Sequence, residues 1–145
     1  MKCIYINIPQ KLNKLKDIPL LIMRLILAYG FYKPAIMKWQ NIKGIGEWFD
    51  SIGIPLPHLS AYLTGIIEAS GVILLLLGLA TRIISIPLVV VMIVAIITVH
   101  IGNGFEASNN GFEIPLYYLI MLITLIIYGS GRISLDNLIK RKINK

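Results

Sequence analysis

The sequence predicts an all-α fold, a four-helix transmembrane bundle with both ends in the cytoplasm and a short interfacial helix in its first outer loop. Three observations predict it. Hydrophobic residues make up 57% of the 145 residues and charged residues only 14%, whereas soluble domains carry about 25% charged residues. Four runs approach the about 20 apolar residues that a helix needs to cross a bilayer core about 30 Å thick. Lysine and arginine collect at alternate ends of those runs, ten in the segments that become inner and two, Lys38 and Lys43, in the outer loops. That asymmetry is the signature of cytoplasmic loops.

Residues 1–17 contain Lys2, Lys11, Lys14 and Lys16 but no apolar core of the length a cleavable signal peptide requires, so they read as a cytoplasmic basic tail. The membrane domain follows over 18–133, with spans near 18–37, 59–79, 83–101 and 114–129. The first carries Arg24, Lys33 and Pro34; the others are almost continuous runs of Leu, Ile, Val and Ala. The outer loop at 38–58 holds Trp39, Trp48 and Phe49 among charges and glycines. Aromatic rings of this kind favour the headgroup level, which predicts a surface helix around 47–52, closed by Pro55 and Pro57. The second outer loop, 102–113, is rich in the turn formers Gly and Asn. The fourth span is short and is expected to draw on residues 129–133. Residues 134–145 form a second cytoplasmic basic tail.

The net charge of +7 does not indicate nucleic acid, because the basic residues end apolar runs instead of forming a patch with stacking neighbours. Cys3 is the sole cysteine. An intramolecular disulfide and a CxxC pair are therefore impossible, and redox chemistry would need a partner or a bound cofactor. The histidines and the cysteine show no metal-ligand spacing. The sequence contains no phosphate-binding glycine loop and no hydrolase-type triad.

What chemistry there is lies in polar residues within the spans. Glu68 falls near the middle of its helix, where a carboxylate must face the bundle interior and find a cation or keep its proton. Ala61, Gly65, Gly71 and Gly78 recur around it and permit close approach of another helix. Two cations of the first span compete as its partner. Arg24 and Lys33 are nine residues apart, about half a turn around a helix, so a straight helix aims only one of them at Glu68. Arg24 is the preferred partner, because Lys33 is near enough to the outer interface to snorkel. Two roles stay open, a structural ion pair and a working site. His100, Asn103, Glu106 and Glu113 share the outer half with Lys33, and together with Glu68 they make a candidate pocket that opens outward, with Tyr29, Tyr32, Tyr62, Tyr117 and Tyr118 available as walls.

An ordered set of motifs then resembles one family. The set comprises "MRLILAYGFYKPAIMKW", "IGIPLPHLSAYLTGIIEASGVILLLLGLATR", "VHIGNGFEASNNGFE" and "YGSGRISLDNLI", across roughly residues 20–139. It is similar to the DoxX family of small four-helix bacterial membrane proteins, matching at Arg24, Lys33, Glu68, Arg82, His100, Asn103, Gly104 and Phe105. The resemblance implies an inner-membrane protein associated with redox complexes, one that binds a quinone or a small thiol or sulfur compound, or that partners an oxidoreductase. It transfers no catalytic mechanism. A non-catalytic anchor or assembly subunit, and a small transporter acting as a homo-oligomer, remain the alternatives.

Overall fold

The computed structural model describes residues 15–143, and all regular structure in that range is helical. Six α-helices follow one another: α1 (Asp17–Gln40), α2 (Ile42–Ser51), α3 (Pro57–Leu77), α4 (Thr81–Ala95), α5 (Glu113–Tyr128) and α6 (Leu135–Ile143). The predicted tail at 1–17 falls almost wholly outside the described residues.

Three helices are long and apolar enough to cross a membrane: α1, α3, and α4 with its continuation through Asn103. That continuation is a π-helical turn, Ile96–His100, followed by a 3-10 turn, Ile101–Asn103. The fourth apolar helix, α5, has 16 residues, about 24 Å at about 1.5 Å per residue. The extra length expected from residues 129–133 is absent. Gly129 adopts φ 79° at the end of α5, donates its N–H to the Leu125 carbonyl at 2.8 Å, and turns the chain away. Glycine takes that left-handed φ without steric cost.

Large apolar side chains are exposed along every long helix, as at Ile83 (72%) and Ile127 (61%). The interior is narrower: Leu27, Ala28, Phe31, Leu75, Leu88, Leu122 and Leu125 form its centre. This distribution suits a solvent as apolar as the core, in which close packing and polar bonds hold helices together more than hydrophobic burial does. The principal pairings are α1 with α3, α4 with α5, and α2 with α3, whereas α1 and α5 touch little. Glycines on α3 serve different neighbours: Gly65 meets Trp39 and Ile42, Gly71 meets Leu88, and Gly78 meets Arg24.

The segment expected to be the first outer loop contains more helix than expected. Asn41 caps α2 by accepting from the Gly44 N–H at 3.1 Å, and the helix then lies against α3, with Gly46 tight on the His58 imidazole. Its partner, α1, correspondingly ends beside the middle of α3, where the Trp39 indole N–H reaches the Gly65 carbonyl at 3.3 Å.

The two ends of the bundle differ. At the arginine end, Asp17 accepts from the Arg132 backbone N–H at 2.8 Å, and Asp136 accepts from Ala80 N–H at 2.8 Å and Thr81 N–H at 3.3 Å. Asp136 thus caps α4 from across the chain, satisfying N–H groups that a helix start leaves without partners. The segment read as a basic tail contains the amphipathic helix α6. At the tryptophan end the helices splay around a cavity.

Candidate functional site

The cavity encloses about 910 Å³ among α1, α2, α3, α4 and α5, including the turns that follow α2 and α4. Three prolines on three helices line it: Pro34, Pro87 and Pro115. Proline cannot donate a backbone hydrogen bond, so Pro34 and Pro87, inside α1 and α4, each interrupt the hydrogen-bond ladder of their wall, whereas Pro115 stands in the first turn of α5, where no such bond is lost. The lining is mostly aliphatic and aromatic, with Trp48 and Phe49 contributed by α2. Polar groups are few. Lys38, Glu68, Ser60, Thr64, Thr98, His100, Asn110 and Tyr118 supply them.

Glu68 is 3% exposed, and its partner is Lys38, not Arg24. The Lys38 ammonium donates to both carboxylate oxygens, at 2.8 and 3.0 Å. The expectation for Arg24 fails on depth, because Arg24 packs against Gly78, ten residues beyond Glu68 on α3, about 15 Å along the axis. There its Nη2 donates to the Ile133 carbonyl at 2.6 Å, and among the described residues Nε and Nη1 have no hydrogen-bond partner. Hydropathy ends the first span at Met37 and so puts Lys38 in the loop that follows. The helix itself continues to Gln40. One signal was available: Leu20, Arg24, Leu27, Phe31 and Ala35 make the buried stripe of α1, and Lys38 extends that stripe. It lies fourteen positions after Arg24, about 40° short of four full turns. Lys33 is off the stripe and exposed.

His100 does line the cavity with Glu68. Its Nδ1 lies 2.8 Å from the Asn110 carbonyl, and since a carbonyl only accepts, Nδ1 carries the proton and Nε2 is left with the lone pair in the neutral ring. The π-helical turn that ends at His100 sets the ring's position, a kind of interruption frequent at functional sites. The other acidic candidates fold the second loop instead. Glu113 accepts from the Ala107 N–H at 3.1 Å and from the Tyr117 hydroxyl at 3.0 Å, and Glu106 accepts from Ser108 at 3.4 Å. Asn103 donates to the Val99 and Asn110 carbonyls, and Phe105 packs edge-on against Phe112. Of the tyrosines, Tyr118 reaches the cavity, where it lies against Phe31 and fills the space beside Gly30. Arg82 stays at the far end, donating to the Ile127 carbonyl at 3.0 Å.

Comparison with known proteins places this arrangement. The DoxX family model matches residues 19–101. A Bacillus subtilis protein named "Putative oxidoreductase CatD" is 36% identical over 127 residues, 86% of this chain and 90% of the relative. An uncharacterized Haemophilus influenzae protein is 30% identical over 128 residues, covering 86% and 85%. The Escherichia coli inner membrane protein YphA is 28% identical over 130 residues, covering 83% and 90%. No solved structure matches the chain. With apolar helices of membrane-spanning length and a family match over more than half its residues, the chain is a membrane protein of the DoxX family.

Proposed function

We propose that this protein crosses the bacterial inner membrane four times, with its arginine end in the cytoplasm, and holds a small, largely apolar redox-active ligand of the quinone type in the cavity at the tryptophan end. The carrying observation is the buried Lys38–Glu68 pair in the wall of an otherwise apolar cavity of about 910 Å³. A flat ring with polar substituents suits such walls, which supply much apolar contact and a few directional groups. The Lys38 ammonium is a donor for a ligand carbonyl, and His100 Nε2 and the Tyr118 hydroxyl are further polar contacts. Reducing a quinone to the quinol takes two electrons and two protons. This chain's residues handle protons and position the ring, and the electrons come from a partner oxidoreductase. The name of the Bacillus subtilis relative and the inner-membrane location of the Escherichia coli one agree with this reading.

A second reading rests on the same turn of α1. Lys38 and Trp39 both bond to α3, at Glu68 and at the Gly65 carbonyl, and such a double tie also suits an assembly subunit whose ion pair sets helix register. One titration separates the two. Of the chain's two tryptophans, Trp48 lines the cavity and Trp39 follows Lys38 in α1 and bonds to the Gly65 carbonyl, so intrinsic fluorescence reports on the site chiefly through Trp48. Titrating purified protein in detergent with ubiquinone-1 should give saturable quenching that Trp48→Phe largely removes. Glu68→Gln should weaken the binding at least tenfold while the protein stays assembled. Quenching that is unsaturable and equal in wild type and Glu68→Gln removes the ligand reading.

A further inference from the structure

We infer that α6 is an anionic-lipid sensor, a short helix that lies in the headgroup layer of the arginine-end leaflet only where acidic phospholipid is present. The inference does not depend on what the cavity holds. Leu135, Leu138, Ile139 and Ile143 recur at i, i+3, i+4 and i+8, which places them on one face of the helix. Leu138, Ile139 and Ile143 are 55%, 46% and 76% exposed, so no described part of the chain covers them. Lys140 and Arg141 flank this stripe on either side, and Lys142, seven residues after Leu135, falls within its arc between Leu138 and Leu135; all three are exposed. A helix with an apolar stripe and a basic flank lies in a membrane interface, and its affinity depends on the acidic lipid there.

The anchoring of α6 fixes where that surface is. Asp136 ties its first turn to the α3–α4 junction through Ala80 and Thr81, and the Asp136 N–H donates to the Gly78 carbonyl at 3.1 Å. The helix therefore starts at the level where α3 ends and α4 begins. Leu77, Ile83 and Tyr128, at the ends of the spans, are likewise exposed apolar residues. Charge points the same way. The two acids of this end, Asp17 and Asp136, are engaged with Arg132 and with the α4 N-terminus, which leaves the three basic residues of α6 without an acidic partner among the described residues. Phosphate headgroups supply the missing charge.

The test uses the full-length protein reconstituted in vesicles. Cys3 is the only native cysteine, so Ile139→Cys in a Cys3→Ser background carries a single environment-sensitive fluorophore on the stripe. Vesicles of phosphatidylcholine with phosphatidylglycerol should give blue-shifted emission shielded from an aqueous quencher. Vesicles of phosphatidylcholine alone should give exposed emission. Each basic residue contributes about fivefold to such an equilibrium, so replacing Lys140, Arg141 and Lys142 by Gln together should shift the embedded-to-free ratio by about a hundredfold and abolish the difference between the two vesicles. Salt should weaken embedding in the acidic vesicles. Emission that is identical in both vesicle types and unchanged by the triple substitution overturns the inference, since the stripe is then covered by protein or stays in water whatever the lipid.

Discussion

Replacing Lys38 by Met tests whether the Lys38–Glu68 pair is as dry as the geometry indicates. The substitution keeps most of the side-chain volume but removes the one ammonium to which both Glu68 oxygens are bonded, leaving a carboxylate that is 3% exposed. Stripping one partner from a buried ion pair costs about 3–5 kcal/mol. The Lys38 side chain is 15% exposed, so some water reaches the pair and the expected loss is about 3 kcal/mol, the lower end of that range. Glu68→Gln should cost less, about 1–2 kcal/mol, because the amide oxygen still accepts from the ammonium. The double variant Lys38→Met/Glu68→Met removes both charges and should recover to within about 1 kcal/mol of wild type, since well-packed apolar residues often replace such pairs without loss. Reversible unfolding in mixed micelles by increasing dodecyl sulfate measures these proteins together with the single variant Glu68→Met, which closes the cycle with Lys38→Met and the double variant. A Lys38→Met loss under about 0.5 kcal/mol, or single losses that simply add in the double variant, would refute the claim that the two charges depend on each other.

Three further outcomes follow from the same structure. Arg24→Met should lower stability by about 1.5–3 kcal/mol through loss of the charged bond to the Ile133 carbonyl, yet leave ubiquinone-1 quenching unchanged, because Arg24 lies at the end away from the cavity; an altered ligand affinity with normal stability would count against that placement. Gly30→Ala should cost about 1–3 kcal/mol because the new methyl runs into the Tyr118 ring, and adding Tyr118→Leu should restore most of the loss in the same unfolding assay. Asp136→Ala removes the cap on Ala80 and Thr81 and should destabilise by about 0.5–2 kcal/mol, with amide exchange at the start of α4 accelerated and exchange in the middle of α3 unaffected.

Hydropathy carried the helical plan because lipid demands long apolar helices whose backbone groups bond internally, and the apolar stretches that became α3, α4 and α5 could be read directly. Helix ends were harder. Hydropathy closes the first span at Met37, before a lysine, a tryptophan and a glutamine, although nothing in that tripeptide breaks a helix. Continuing α1 by three residues moves Lys38 from a loop to the turn that faces Glu68. The fourth span, short by hydropathy, is expected to draw on residues 129–133, whereas Gly129 at φ 79° is a stop. Within the site, Glu68 and His100 were legible as polar groups where apolar ones are expected, and both line the cavity. Glu106, Glu113 and Asn103 share their chemistry but bond within their own loop. Composition cannot distinguish a carboxylate that closes a turn from one that faces a ligand, since the difference lies in tertiary geometry.

The position of the cavity follows from where the polar bonds are. Apart from Glu68, the buried polar side chains among the described residues are Asp17, Arg24, Thr81, Ser85, Ser130 and Ser134, and these gather toward the arginine end. There Asp17, Asp136 and Arg24 each bond across elements far apart in sequence, fastening α1, the α3–α4 junction and the segment after α5 to one another. Lipid tails are as apolar as the bundle interior, so a fastening of this kind adds cohesion that aliphatic packing alone does not. Around the cavity, Pro34, Pro87 and the π-helical turn interrupt the walls, and one ion pair with one indole bond ties α1 to α3. A bundle fastened at one end tolerates space at the other. The arginine end therefore supplies stability, and the tryptophan end can give up packing to hold a ligand.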